Sequence, residues 1–222
     1  MGEEAAFILP GKNFFTIRFF TPEAEIPLCG HATLSSAHII FEQGIVKKDA
    51  DIKLISKAGE LTIRNSGSWI IMNFPAYNLE PIETPDIMKD ILGIRPSEVY
   101  MTGHGWTFVL LESESDVRGL KPDFRLMKNS GFGDMIVTAP SDDKDFDFCV
   151  RCFVPALGID EDPVTGSAHC SLVPFWHKKT GRREFVSHQV SKREGVLKVS
   201  LAGNKVEISG QARTIIAGRL FV

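Results

Sequence analysis

Two short segments carry residue types suited to moving protons on a small anion. They are Cys29-Gly30-His31-Ala32-Thr33 and Thr165-Gly166-Ser167-Ala168-His169, and Asp162 stands three residues ahead of the second. In each, a glycine opens a helical pattern. A helix opening presents backbone N–H groups that have no intrahelical acceptor, together with the positive end of the helix dipole. Two such openings suit a carboxylate or a developing oxyanion and need no Lys or Arg to do so. Cys29, His31 and Thr33 add a thiol, an imidazole and a hydroxyl on one side, and Asp162, Thr165 and Ser167 add acid and hydroxyl groups on the other. Each also has a plainer use: His31 as a first-turn histidine, Asp162 and Ser167 as helix caps, Cys29 as packing. Their occurrence at corresponding points of two copies of one pattern favours a shared functional cleft.

Other chemically tempting residues point to structure. Cys149-x-x-Cys152 has metal-ligand spacing, but it lies in the apolar strand-like run Asp147-Phe-Cys-Val-Arg-Cys-Phe153, and no second pair completes a zinc set. Both are expected to be buried strand cysteines, and no metal is expected. His169 and Cys170 read as helix packing, and Phe175 and Trp176 as core. Gly103-His104-Gly105-Trp106 is a glycine-rich turn before a strand, weak as a phosphate-binding signal.

The elements that must position these residues come in duplicate. Ile17-Arg-Phe-Phe-Thr-Pro22 aligns with Val150-Arg-Cys-Phe-Val-Pro155 at an offset of 150 − 17 = 133. After a three-residue insertion in the second copy the offset is 166 − 30 = 136, which pairs Glu25 with Glu161, Gly30 with Gly166, Gly59 with Gly195 and Gly67 with Gly203. Each copy, 17–72 and 150–208, begins with an apolar strand (Phe14–Phe20; Phe146–Phe153) and a Pro-containing turn. A helix follows, Gly30–Glu42 stopping at Gly44 and Gly166–Lys179 stopping at Gly181, where C-terminal glycines belong. Leu34, Ala37, His38 and Phe41 share one helical face. Three strands complete each copy: Ile52–Ser56, Leu61–Arg64 and Trp69–Phe74, then Phe185–Ser191, Val196–Leu201 and Lys205–Ser209. Between the copies the pattern predicts a helix from Thr84-Pro-Asp86 to Gly93, a strand at Trp106–Leu111, a helix at Asp123–Asn129 and a strand at Asp134–Ala139. Met135–Pro140 corresponds to Ala5–Pro10. A strand and a helix precede it in the second copy, so the first lobe is expected to be short at its amino-terminal end.

Composition narrows the function classes. A net charge of −3 gives no electrostatic reason to bind nucleic acid or an anionic membrane. The apolar runs are too short to span a bilayer, no secretory signal pattern opens the chain, and four cysteines do not make a disulfide framework. The expectation is a cytoplasmic protein with an ordinary core.

Phe20-Thr-Pro22, Glu25-Ile-Pro-Leu-Cys-Gly-His-Ala-Thr33 and Glu161-Asp-Pro-Val-Thr-Gly-Ser-Ala-His169 resemble the signature segments of the PhzF family of phenazine-biosynthesis-like isomerases. Gln189-x-Ser-x-Arg-x-Gly195 and Gly210-x-Ala-x-Thr214 extend the resemblance over essentially the whole chain. It implies an α+β, diaminopimelate epimerase-like fold. Two pseudo-symmetric lobes, each a mostly antiparallel sheet wrapped around a central helix, would hold the active cleft between them. The first lobe would be 1–78, joined by a C-terminal strand at about 211–222, and the second 79–210. The resemblance further implies a homodimer, no metal or organic cofactor, and a small carboxylate-bearing, cyclic substrate.

The family's proton-transferring glutamate lies in a Ser-Glu-Thr-Ala-Phe segment. Glu3-Glu-Ala-Ala-Phe7 matches it, so Glu4 inherits the acid/base role, with Ala5 in place of the threonine. By the same implication His31, Asp162 and Ser167 are catalytic, and Cys29, Gly30, Ala32, Thr165 and Gly166 contact the substrate. Family members carry an opening strand, a Gly-Asn-Pro segment and a helix ahead of the glutamate, which are not found here. Diaminopimelate epimerase uses one thiol from each lobe; Cys29 matches the first and Thr165 stands at the second, which argues against a two-base amino-acid racemase. The alternatives are a non-catalytic small-molecule-binding or interaction protein of this fold, or a racemase working through Cys29.

Overall fold

The protein is described by a computed structural model that covers residues 5–21, 24–103 and 105–218. The chain forms two compact units, Met1–Phe74 with Glu207–Val222, and Pro75–Val206. In the first, β1 (Ala5–Pro10), β2 (Phe15–Phe20), β4 (Ile52–Ser56), β5 (Gly59–Ser66), β6 (Trp69–Pro75) and β15 (Lys205–Gly210) are neighbours in that order, and the two-residue β3 (Glu25–Ile26) pairs with β2. β2 and β4 run parallel, which demands a crossover, and α1 (Gly30–Glu42) supplies it. Residues on nearly every side of α1 are buried, among them Ala32, Thr33, Ser36, Ala37, Ile40 and Phe41. Leu34 and His38, which share a helical face with Ala37 and Phe41, are only half-buried. The small residues let backbone close around the helix: a Cβ added at Gly210 would come within 2.8 Å of Leu34 Cδ2. Gly44, in the left-handed region at φ +66°, ends the turn after α1.

The second unit orders β7 (Leu79–Ile82), β8 (Glu98–Thr102), β9 (Thr107–Leu110), β10 (Met135–Pro140), β11 (Phe148–Val154), β13 (Glu184–Gln189) and β14 (Gly195–Ala202), with β12 (Ile159–Asp162) on β11. Here the corresponding parallel pair is β11 and β13, bridged by α5 (His169–Thr180), and β9 also runs parallel to β10. Side chains alternate across β11. Cys149 and Phe153 join a buried cluster with Met88 and Ile91 of α2 (Ile87–Leu92), Val117 of α3 (Glu114–Gly119) and Met127 of α4 (Phe124–Asn129). On the opposite side Phe148 stacks on Trp176 of α5, 5.4 Å apart at 7°. Cys149 and Cys152, three residues apart, therefore point to opposite faces and cannot share a metal ion. Burial pushes the Cys149 thiol up to about 12 and raises that of Cys152 as well.

Truncating the fully buried Phe153 to Ala should cost about 3–5 kcal/mol, seen as a lower urea midpoint at unchanged slope.

Pro174 sits inside α5, where it has no N–H for the carbonyl of Cys170. That carbonyl instead accepts from the Tyr77 N–H at 2.8 Å. Gly181 ends the helix at φ +76°.

The duplication holds at the level of strand register. β1 pairs with β2 as Ala5↔Phe20 through Pro10↔Phe15, and β10 pairs with β11 as Met135↔Phe153 through Pro140↔Phe148. β3 meets β2 as Phe20↔Glu25, and β12 meets β11 as Phe153↔Glu161. The insertion in the second copy is a 3-10 turn, Pro155–Leu157, closed by Gly158 at φ +92°. Arg18 grips Glu25 with Nε and a terminal nitrogen, both at 2.9 Å, and Arg151 grips Glu161 in the same way at 2.7 and 2.9 Å. Arg18 and Lys57 hold the Glu25 carboxyl down at about 2. The repeated Arg and Glu are thus a structural clasp.

The structure departs from the expected pattern at the start of α5 and in the C-terminal segment. Residues 166–168 form a turn, with His169 N–H on the Gly166 carbonyl and Cys170 N–H on that of Ser167 at 3.1 Å each. These i→i+3 bonds delay α5 to His169 instead of the expected Gly166. The strand expected over 211–222 is not formed across 211–218; residues 219–222 lie outside the described residues. Thr214 is tied by its side chain instead, donating to Glu42 at 2.6 Å.

Candidate active site

In the first unit the sequence-predicted residues sit at the start of α1. Cys29 is the N-cap residue in extended conformation (φ −142°, ψ 113°), and its own side chain makes no capping hydrogen bond. Its carbonyl takes the Thr33 N–H at 3.0 Å and the Thr33 hydroxyl at 2.7 Å. The Cys29 thiol is buried and lies 3.6 and 3.7 Å from the two ring nitrogens of His31, whose ring is exposed. Gly30 and Ala32 are buried in the same turn. The arrangement puts the start of α1, a thiol and an imidazole together, a set able to hold an anion and relay a proton. Glu4 lies outside the described residues, as does His104 of the glycine-rich turn.

In the second unit the site residues lie on the loop between β12 and α5. Asp162 is the last residue of β12, and its carboxylate accepts from the Thr165 hydroxyl at 2.6 Å. Gln189, fully buried at the end of β13, spans the loop. Its Oε1 accepts from Thr165 N–H at 2.7 Å, and its Nε2 donates to the Asp162 carbonyl at 2.7 Å and to Thr165 Oγ1 at 3.2 Å. Ser191 adds a bond to the Pro163 carbonyl at 2.8 Å. Asp162, Thr165, Gly166 and Ser167 are thereby brought together in one short turn. The sequence assigns Gln189 no role; its one signal is its place at the head of Gln189-x-Ser-x-Arg-x-Gly195.

His169, expected to be packing, holds the same loop from below. Its Nδ1 lies 3.0 Å from the Thr165 carbonyl and 3.3 Å from that of Gly166, and its Nε2 2.8 Å from Ser187 Oγ. Carbonyls only accept, so Nδ1 carries the proton and Nε2 accepts from Ser187. Complete burial lowers its pKa from 6.5 to about 4. Because the folded value lies below the unfolded one, this contribution is fully present above about pH 6.5 and is lost as pH falls towards 4. The expected loss approaches about 3 kcal/mol at the acid end. Urea midpoints taken from pH 7 to 4 should show it, and the slope should flatten in His169→Gln.

Among the described residues no group of three or more His, Cys, Asp or Glu could hold a metal ion, and no helix is long and apolar enough to cross a membrane.

Residues 2–218 match the family described as phenazine biosynthesis-like protein. The chain belongs to the PhzF family. Its relatives include an uncharacterized isomerase of Halalkalibacterium halodurans, 39% identical over 221 residues that make up 99% of this chain and 83% of the relative. An uncharacterized isomerase of Pseudomonas aeruginosa is 38% identical over 98% of this chain and 82% of its own. The crystal structure of a PhzF family protein from Enterococcus faecalis superposes with a TM-score of 0.90 at 34% identity, covering 99% of this chain and 83% of that one. The fold is α+β and epimerase-like, and the family is one of isomerases.

Proposed function

We propose that this PhzF family chain is an isomerase that shifts a proton within a small cyclic carboxylate, using side-chain acid/base chemistry and no cofactor. Glu4 takes the proton from carbon and returns it elsewhere on the same molecule. The N–H groups at the opening of α1 around Gly30 and those of the turn at Gly166 bind the substrate carboxylate, flanked by Cys29, Ala32 and Thr165. Asp162, His31 and Ser167 orient the ring or relay protons. The protein would work as a cytoplasmic homodimer.

The observation that carries this reading is the unequal chemistry of the two loops. Cys29 supplies a thiol beside an imidazole, whereas Thr165 supplies a hydroxyl already committed to Asp162 at 2.6 Å. Symmetric racemisation needs a base on each side of the carbon. The second unit's thiols do not answer that need, since Cys149, Cys152 and Cys170 are buried and their pKa values are raised. A carboxylate acting alone satisfies the chemistry. Candidate cyclic acids incubated with the protein in deuterated water should exchange a carbon-bound proton. A panel that binds but never exchanges would leave a ligand-binding protein in place of an isomerase.

A further inference from the structure

Gln189 and Ser191 hold the loop of 162–167 by hydrogen bonds, and a third hold on it is steric. β14 pairs with β13 so that Gly195 lies directly across from Gln189. Residues directly opposite in an antiparallel pair project to the same face. Gly195 therefore faces the side on which the Gln189 amide meets Thr165, and it presents no side chain there. Val164 occupies the room. A Cβ added at Gly195 would fall 2.5 Å from Val164 Cγ2, 3.2 Å from Cγ1 and 3.4 Å from Cβ. No Cβ tolerates the first of these contacts, so Val164 would have to move.

Val164 has little freedom to move alone. Its branched side chain is stiff at χ1. On one side Pro163 has a fixed φ, and its carbonyl accepts from Ser191 Oγ at 2.8 Å. On the other, Thr165 N–H is bonded to Gln189 at 2.7 Å. Displacing Val164 thus displaces the loop.

Glycine is needed at 195 for space and not for backbone conformation. Gly59, its counterpart in the first copy, has φ +110° and nothing within 4 Å of an added Cβ. In the second copy the left-handed conformation falls instead on Glu194, at φ +56°. A non-glycine residue keeps such a conformation only when its surroundings hold it there. Glu194 N–H donates to the Ser191 carbonyl at 3.1 Å and to Ser191 Oγ at 3.2 Å, and its carboxylate accepts from Arg118 at 3.1 Å. The turn so fixed delivers Ser191 and Gly195 to the loop together.

We propose that Gly195 is a positioning residue for the candidate active-site loop. The room it leaves seats Val164, and that seat sets where the Thr165 N–H and the Asp162 carboxylate stand. The proposal rests on the part given to this loop in the proton shift.

The test compares Gly195→Ala, Val164→Ala and the double variant in the full chain. Amide exchange is read at Thr165 and, as controls, at Phe185, Ser187, Leu197 and Val199, which pair further along the same two strands. Gly195→Ala should speed exchange at Thr165 about tenfold or more, with the controls changed by less than about twofold. Adding Val164→Ala removes the atoms that the new methyl group meets. It should return Thr165 to the rate seen in Val164→Ala alone, the coupling expected of two residues in contact. Turnover of a cyclic acid in deuterated water should fall about tenfold or more in Gly195→Ala with KM little changed, and should recover in the double variant. Unaltered Thr165 exchange in Gly195→Ala would overturn the proposal. So would a rise that spreads along both strands and survives Val164→Ala, since Gly195 would then serve the hairpin alone. Full turnover from a displaced loop would overturn it too. The amide readout needs no substrate, so the seat stands or falls separately from whether any cyclic acid is exchanged.

Discussion

Glu4→Gln should cut turnover by a factor of about 10²–10⁴, the range that general acid–base groups contribute. The amide matches the carboxylate in size and can accept no proton from carbon, so kcat falls while KM changes little. Glu4→Asp keeps the acid on a shorter arm and should retain an intermediate rate. Cys29→Ser is the informative companion. If the carboxylate is the base, loss of the thiol should cost at most about tenfold, because Cys29 then only lines the opening of α1. Steady-state kinetics of the three variants separate the mechanisms: a collapse in Cys29→Ser with a mild Glu4→Gln would hand the base role to the thiol.

Gln189→Leu should damage stability and turnover together. The buried amide satisfies Thr165 N–H, the Asp162 carbonyl and Thr165 Oγ1 at once. An apolar side chain takes their partner from the Thr165 N–H and the Asp162 carbonyl, while the Thr165 hydroxyl keeps its bond to the Asp162 carboxylate, and each unmet buried group costs about 1–3 kcal/mol. The urea midpoint should drop accordingly. In addition, the loop carrying Asp162, Thr165, Gly166 and Ser167 loses the strut that sets its shape, and misplacement by about 1 Å is enough to lower turnover about a hundredfold. Ser191→Ala, which removes a single bond to the Pro163 carbonyl, should give a much smaller version of the same two effects. A stability loss with turnover intact would mean that the loop does not touch the reaction.

Much of the architecture was readable from local pattern. The helix of 30–42 and the strand of 52–56 fall where periodicity and glycine punctuation put them. The duplicated register was readable because Arg18, Glu25, Arg151 and Glu161 serve the same clasp in both copies. What escaped detection depends on distant partners. β3 and β12 have two and four residues, and such strands exist only because β2 and β11 are there to pair with them. β7, Leu79–Ile82, carries a glutamate and a proline, so nothing in its own composition sets it apart as a strand, and the five residues of β8, Glu98–Thr102, are too few to show an alternation of their own. α5 was placed three residues early because a glycine-led pattern does not distinguish a helix from a turn closed by i→i+3 bonds.

The site was legible to a similar depth. Asp162, Thr165, Gly166 and Ser167 were picked out by motif, and they do share one turn. The groups that hold that turn, Gln189 from the next strand and the buried His169, are visible only once the strand and helix have been folded against it. His169 in particular carries no sequence mark that separates an inert core imidazole from one clamping two loop carbonyls.

A substrate deuterated at the carbon that loses its proton, turned over once in ordinary water, tests the proton-shift reading most directly. A single carboxylate that removes the label and redelivers it should leave a measurable fraction of the deuterium at the new position in the product, read by mass spectrometry or proton NMR. Product carrying only solvent hydrogen from the first turnover, with the configuration inverted at the original carbon, would contradict that account and indicate two bases on opposite sides.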